Sequence, residues 1–215
     1  MRKFMKKALA LALGVVVAVP VLGVVFYQRQ QRLLRESPFL QEMDSLVARN
    51  DFGAVTQRLI EKAATADKGE SRLISVWLRK HAIEGNFPAL YFTSLFHTTQ
   101  GRLEEAGKWY SAAALVARID AARSSDASAG GAPMVIEAMF SKTKSHLAAR
   151  PAERKAAARW ALEYEEKNKE RPVARWILQH GIKAFSGGVQ SVPDAEWQAA
   201  RSRIRGEFEQ SFGRN

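Results

Sequence analysis

Cysteine is absent from all 215 residues. That excludes disulfide frameworks, thiolate zinc sites, thiol nucleophiles and lipid attachment through an N-terminal cysteine, while leaving the compartment open. Acidic residues are absent before Glu36, and no charge of either sign falls between Ala8 and Tyr27. Catalytic signatures are missing as well. There is no GxSxG elbow, no phosphate-binding loop and no dinucleotide fingerprint; the turn at Ser186-Gly187-Gly188 has neither the context nor the spacing. The four histidines, His81, His97, His146 and His180, fall on separate segments, and none stands at a zinc-type i, i+4 spacing from another ligand. No segment alternates with period two for long enough to predict a strand.

What is present begins with an apolar run, ALALALGVVVAVPVLGVVFY, from Ala8 to Tyr27. As a helix its twenty residues would cover roughly 30 Å, the thickness of a bilayer's hydrocarbon layer. A cleaved signal peptide is the competing reading, with Val21-Leu22-Gly23 as its cleavage site; the length of the run and the apolar residues after that site favour an uncleaved anchor. Arg2, Lys3, Lys6 and Lys7 precede the run, and Arg29, Arg32 and Arg35 follow it. The bias puts the N-terminus in the cytoplasm and, for a bacterial inner membrane, the remainder in the periplasm. These flanks also hold most of the net charge of +11. Residues 36 to 215 carry 26 Lys or Arg against 22 acids, an excess of only +4 that gives no ground for a nucleic-acid ligand.

The remainder reads as helix after helix. Residues 1–36 comprise the basic tip, the anchor and a juxtamembrane helix; residues 37–215 form the soluble domain. Ser37-Pro38 starts a helix with Phe39, Leu40, Met43, Leu46 and Val47 on one face. After Asn50-Asp51 a second turns Phe52, Val55, Leu59 and Ile60 inward, and a third carries Leu73, Ile74, Trp77, Leu78 and Ile83. Phe87-Pro88 opens a fourth, ending at the Gln100-Gly101 turn, and an alanine-rich fifth runs to Arg123. Ser124 to Gly131 is expected to be a flexible loop. Further helices follow over 132–150, from Pro151, from Pro172 and from Asp194. The expectation is an all-α fold: a single transmembrane helix followed by a domain of helical hairpins.

The stretch FPALYFTSLFHTTQGRLEEAGKWYSAA, Phe87 to Ala113, resembles the tetratricopeptide repeat and its Sel-like relatives. Two "turn, then Phe, then Ala" joints, at Asn50–Ala54 and Gly85–Ala89, lie 35 residues apart, close to the family's period. The resemblance implies that Gly101 is the turn, Ala106 and Ala113 the close-contact positions and Tyr110 the wedge against the next helix. It also departs from the pattern: His97 stands where an aromatic is usual, and Arg118 where a proline is. A plain helical bundle remains the alternative.

The acids Glu104-Glu105 and Glu163, Glu165 and Glu166 read as helix-terminal and solvated positions rather than a catalytic pair. Arg201, Arg203 and Arg205 read as a solvated strip, with Arg201 and Arg205 sharing a face. The aromatics fit a core, except that a curved stack of hairpins would leave Tyr91, His97 and Trp109 on its concave face as partner anchors. The expected function is a scaffold or adaptor in the cell envelope, held to the membrane by residues 8–27 and binding a protein or peptide. No enzymatic activity, cofactor or metal is expected; the competing reading is a periplasmic enzyme acting on cell-wall glycan or peptide.

Overall fold

The computed structural model describes residues 27–85, 87–172, 174–178 and 191–213. The run assigned above to a membrane helix lies outside them, apart from Tyr27. Among the described residues no helix is long and apolar enough to cross a membrane. They form helices and turns with no strand; an antiparallel bridge between Ser124 and Ser191 stands alone. The all-α expectation holds.

The chain divides into two compact units, Met1–Met43 and Asp44–Asn215. The division falls within a helix rather than at Ser37. In the first unit, helix α1 (27–36) carries an exposed Arg32–Glu36 pair at 2.7 Å. Ser37 then caps α2 (Pro38–Ala48), its hydroxyl accepting from the Leu40 N–H at 3.4 Å, with Pro38 in the first turn where a missing N–H costs nothing.

The second unit opens with two capped helices. Asp51 caps α3 (Phe52–Thr65) by accepting from the Ala54 N–H at 3.1 Å. A reciprocal box between Asp67 and Glu70 starts α4 (Lys68–His81). The Trp77 indole N–H reaches across from α4 to donate to Asp44 at 2.7 Å. Next comes a hairpin of α5 (Ala89–Thr99) and α6 (Leu103–Ala121), turned at Gly101, whose φ of +73° suits glycine. Ile60 and Ile83, expected inside, are 39% and 46% exposed. Ile60 ends its apolar stripe, and Ile83 lies past the end of α4.

Helix α6 is the axis of this unit, packing against α5 and, further along the chain, against α8 (Ser141–Ala149), α9 (Pro151–Lys167) and α11 (Asp194–Gly213). Its small residues explain how. Ala106, Gly107, Ala112, Ala113 and Ala117 are all buried, so neighbours approach its backbone from several sides. At Ala106 the Ser94 hydroxyl donates to the backbone carbonyl at 2.8 Å, binding α5 to α6. A Cβ on Gly107 would stand 2.7 Å from a Leu147 methyl of α8.

Between α6 and α8 the chain departs from the expected pattern. Within the segment Ser124–Gly131, Ser124, Asp126 and Ala129 are buried and a short 3-10 helix spans Ala127–Gly130. Asp126 holds it by accepting from the Ser128 N–H at 3.0 Å and its hydroxyl at 2.6 Å. The single helix expected over 132–150 is interrupted: α7 (Gly131–Glu137) passes through a 3-10 turn at Ala138–Phe140 into α8. Pro151 starts α9 as expected, and α10 (Arg175–Leu178) is a short turn with Trp176 and Ile177 buried.

Helix α11 seats Trp197 and Phe208 against Leu115 and Ile119 of α6 and Ala158 and Ala161 of α9. Its charges reverse an expectation. Glu165, read as solvated, is fully buried, and Arg201 clasps it through two bonds of 2.8 and 2.9 Å. Arg205 bonds Glu165 as well and approaches Glu166, which Arg201 also reaches at 2.8 Å. Hydrogen bonds from Lys169 and Arg201 hold the Glu166 carboxyl down at about 2. A second buried pair, Asp120–Arg171 at 2.6 Å, adjoins the first, Arg171 standing 4.0 Å from Glu165. Burial pushes the Asp120 carboxyl up to about 6, against the pull of Arg171. Arg203, pointing away, pairs with exposed Glu207.

Two stability experiments follow from this packing. Removing one member of a buried ion network strands the others without solvent, so Glu165→Ala should lower stability by about 3–5 kcal/mol, read as a lower urea midpoint. Arg203→Ala should stay within about 0.5 kcal/mol; equal losses in the two variants would refute the network's role. Gly107→Ala should destabilise by about 1 kcal/mol although alanine is the better helix former. Adding Leu147→Ala should make the double variant more stable than the sum of the singles; simple additivity would show that α6 and α8 part without penalty.

Candidate functional site

A cleft of about 470 Å³ opens where α4 meets the α5–α6 hairpin. From α4 come Arg72, Ser75 and Arg79, spaced i, i+3 and i+7 and so presented on one side of the helix. His97 enters from the last turn of α5. Arg102 stands at the head of α6, and Glu105 and Trp109 follow one turn apart on its near side.

Trp109 forms the apolar wall. Its ring meets Trp160 and Tyr164 of α9 edge-on, with centroids 4.8 and 5.7 Å away. The Arg79 guanidinium lies 5.9 Å from the Trp109 ring centroid, a distance at which the cation is drawn to the π face. Burial lowers the pKa of Arg79 from its usual value, and the neighbouring Arg102 and Arg72 lower it further. Among the described residues Glu105 is the only acid lining the cleft, and Lys108 holds it at 2.9 Å while also meeting Glu104 at 3.0 Å. The cleft is therefore cationic, with one aromatic wall.

His97 is buried, 5% exposed, and its Nδ1 has no hydrogen-bond partner among the described residues. Burial first, then Arg102 and Arg79, push its pKa down to about 4, with Glu105 pulling the other way. At neutral pH the ring is uncharged, one nitrogen an acceptor and the other a donor.

Of the three residues expected to meet a partner, the structure brings His97 and Trp109 to one cleft and leaves Tyr91 elsewhere. Tyr91 precedes His97 by six residues, which rotates it about 120° around the helix. It is 1% exposed and donates to Glu137 of α7 at 3.0 Å, beside Phe140 and Trp176. Burial and the Glu137 charge raise its pKa well above the ordinary phenol value. Tyr110 donates to the same carboxylate at 3.4 Å and stacks near Phe140. Ala106 and Ala113 are buried in α6, and Gly101 makes the hairpin turn.

A second hollow of about 500 Å³, between the head of α6 and α8–α9, is internally matched. There His146 Nε2 meets Glu153 at 2.6 Å, and Arg150 meets His146 Nδ1 at 2.7 Å and Glu153 at 3.3 Å. Among the described residues no cluster of His, Asp or Glu could hold a metal ion. The arginines of the first cleft escape sequence reasoning because each, taken alone, is an ordinary surface charge. The one available signal is the i, i+7 spacing of Arg72 and Arg79 on a helix whose opposite side is apolar.

The histidine supplies a test of this geometry. Between pH 4 and 6.5 the unfolded chain protonates His97 while the folded chain does not, so the unfolded state binds more protons and stability falls as the solution is acidified. Replacing it by a group that does not titrate, His97→Gln, should flatten that fall by up to about 1.4 kcal/mol per pH unit, measured by urea unfolding from pH 7 to 4.5. Asp120 titrates in both proteins and cancels in the comparison. Parallel curves would mean that His97 is solvated and charges normally. No protein-family model, curated protein or solved structure matches the chain.

Proposed function

We propose that this protein is a membrane-held docking module: residues 8–27 anchor it in a bacterial inner membrane, and the helical domain, on the periplasmic side, binds a protein or peptide in the cleft between α4 and the α5–α6 hairpin. The observation that carries the reading is the cleft itself. Its volume of about 470 Å³ lies within the range of roughly 300–1,000 Å³ common for ligand sites. It joins the flat face of Trp109 to several arginines, the residue types that dominate binding energy at protein interfaces. The α5–α6 hairpin, turned at Gly101 and closed on Ala106, is what a tetratricopeptide-like architecture would supply, in which helical pairs present a surface rather than a reaction centre.

Tethering is the mechanism. Confining the domain to a membrane raises its effective concentration beside partners on the same surface, so a modest intrinsic affinity suffices. Glu165 is committed to arginines, and Glu104 and Glu105 share Lys108.

The experiment is crosslinking in intact membranes followed by capture through a tag at Asn215. A discrete protein should co-purify with the full chain. Its yield should fall at least tenfold when residues 1–27 are replaced by a cleavable signal that releases the domain. Recovery of glycan fragments alone, or equal capture by the released domain, would overturn the reading.

A further inference from the structure

We propose that the outward face of α7 and of the 3-10 turn after it is an interfacial membrane contact, in which Met134, Val135 and Met139 enter the headgroup boundary of an anionic bilayer. This goes beyond the docking reading above and does not involve the cleft.

The segment Gly131–Phe140, GAPMVIEAMF, holds a single charge, Glu137. On an ordinary surface helix the charge faces water and the apolar side chains face the core. Here the order is reversed. Glu137 turns toward the core, where its carboxylate accepts from the Tyr91 hydroxyl at 3.0 Å and the Tyr110 hydroxyl at 3.4 Å. Ala132, Pro133 and Phe140 fill the buried side. Met134 and Val135 are left 73% and 75% exposed, and Met139 45%. No other large apolar side chain among the described residues is as exposed as the first two. Ala138, one turn after Met134, is exposed as well. Single exposed apolar residues are ordinary, but a contiguous uncharged patch of them marks a contact surface.

Composition identifies the occupant as lipid. A standard protein interface engages about 20–30 residues a side and is anchored by aromatic or arginine side chains. The exposed positions of Gly131–Phe140 are few and include neither. A bilayer makes a smaller demand: apolar side chains that reach the acyl boundary, with basic ones at headgroup level. Lys142 is exposed one turn after Ala138, so its alkyl stem can lie along the apolar face while its ammonium meets a phosphate. Lys144, also exposed, follows it. Between Asp126 and Glu153 the sequence has no acid except Glu137, which the two tyrosines hold. No outward acid on this stretch therefore opposes an anionic surface.

The absence of cysteine makes the face addressable at one position. The full chain carrying Val135→Cys, labelled with a fluorophore, is reconstituted at low density into vesicles of phosphatidylcholine and phosphatidylglycerol. Lipid-borne spin labels should quench the fluorophore, and aqueous iodide should not. Adding Met134→Gln/Met139→Gln should lower the lipid quenching at least fivefold and admit iodide. Lys142→Glu, or vesicles of phosphatidylcholine alone, should lower it at least threefold. These positions are exposed, so the thermal midpoint should not move. Equal lipid quenching with and without the glutamine pair would overturn the proposal, as would indifference to lipid charge and to Lys142→Glu. Iodide shielding without lipid quenching would mean a protein surface, and shielding that grows with protein density a second copy; either would overturn it too. The anchor is judged separately. A glutamine-pair variant that still floats with the vesicles keeps its anchor while losing this contact. One that those substitutions release shows a contact without an anchor, and an unaltered chain that never joins the vesicles refutes both.

Discussion

Glu165 has no access to water, and a buried carboxylate is costly unless opposite charges and hydrogen bonds compensate it. Arg201 and Arg205 supply the compensation from a helix 36 and 40 residues further on, and Arg171 extends the network to Asp120 on the central helix. Three helices are thereby held in one relative register. Apolar packing of Trp197 and Phe208 would bring α11 to the same groove, but hydrophobic contact is non-directional and tolerates sliding. The ion network does not, because a shift of one turn along α11 would bury a charge without its partner. The network thus selects one arrangement among several of similar apolar burial.

That arrangement fixes where Trp109 stands, and Trp109 fixes the cleft. With α9 locked, Trp160 and Tyr164 meet Trp109 edge-on and leave it no room to turn outward. On its other side the alanines of α6 allow α5 to come close, which draws His97 into a buried position. Helix α4 then reaches across the hairpin with Arg72 and Arg79 on its near side. The cleft is what remains where a large aromatic and two long cationic side chains prevent α4 from closing onto α6. Its shape follows from side-chain size and its potential from the arginines that line it.

Much of the helix pattern is legible in the residues themselves, because most helices open on a local signal. Asp51, the Asp67–Glu70 box, Pro38 and Pro151 mark starts, and Gly101 marks a turn that needs positive φ. The interruption at Ala138–Phe140 carries no glycine or proline and is set by the tertiary fit of Phe140 beside Tyr91 and Tyr110. The burial of Glu165 was illegible for a related reason: Lys167 and Lys169 lie nearby in sequence and suggest a solvated face, while the true partners come from α11. His97 and Trp109 share a cleft that the periodicity of each helix hints at, yet Tyr91 falls on another side because six residues do not complete a whole number of turns.

Glu105 shows why the cleft keeps its positive charge. In the first turn of α6 it sits where the helix dipole favours an anion, and it stands one turn before Lys108, which takes its charge at 2.9 Å. Lys108 also meets Glu104, so the local acids and the local base satisfy one another within a turn and a half of helix. Arg79 and Arg102 are left exposed, with no ion pair among the described residues. A small excess of +4 over residues 36 to 215 is thus not an even coating. Arg79 and Arg102 stand beside one aromatic wall, so a modest net charge is locally concentrated and can still discriminate between partners.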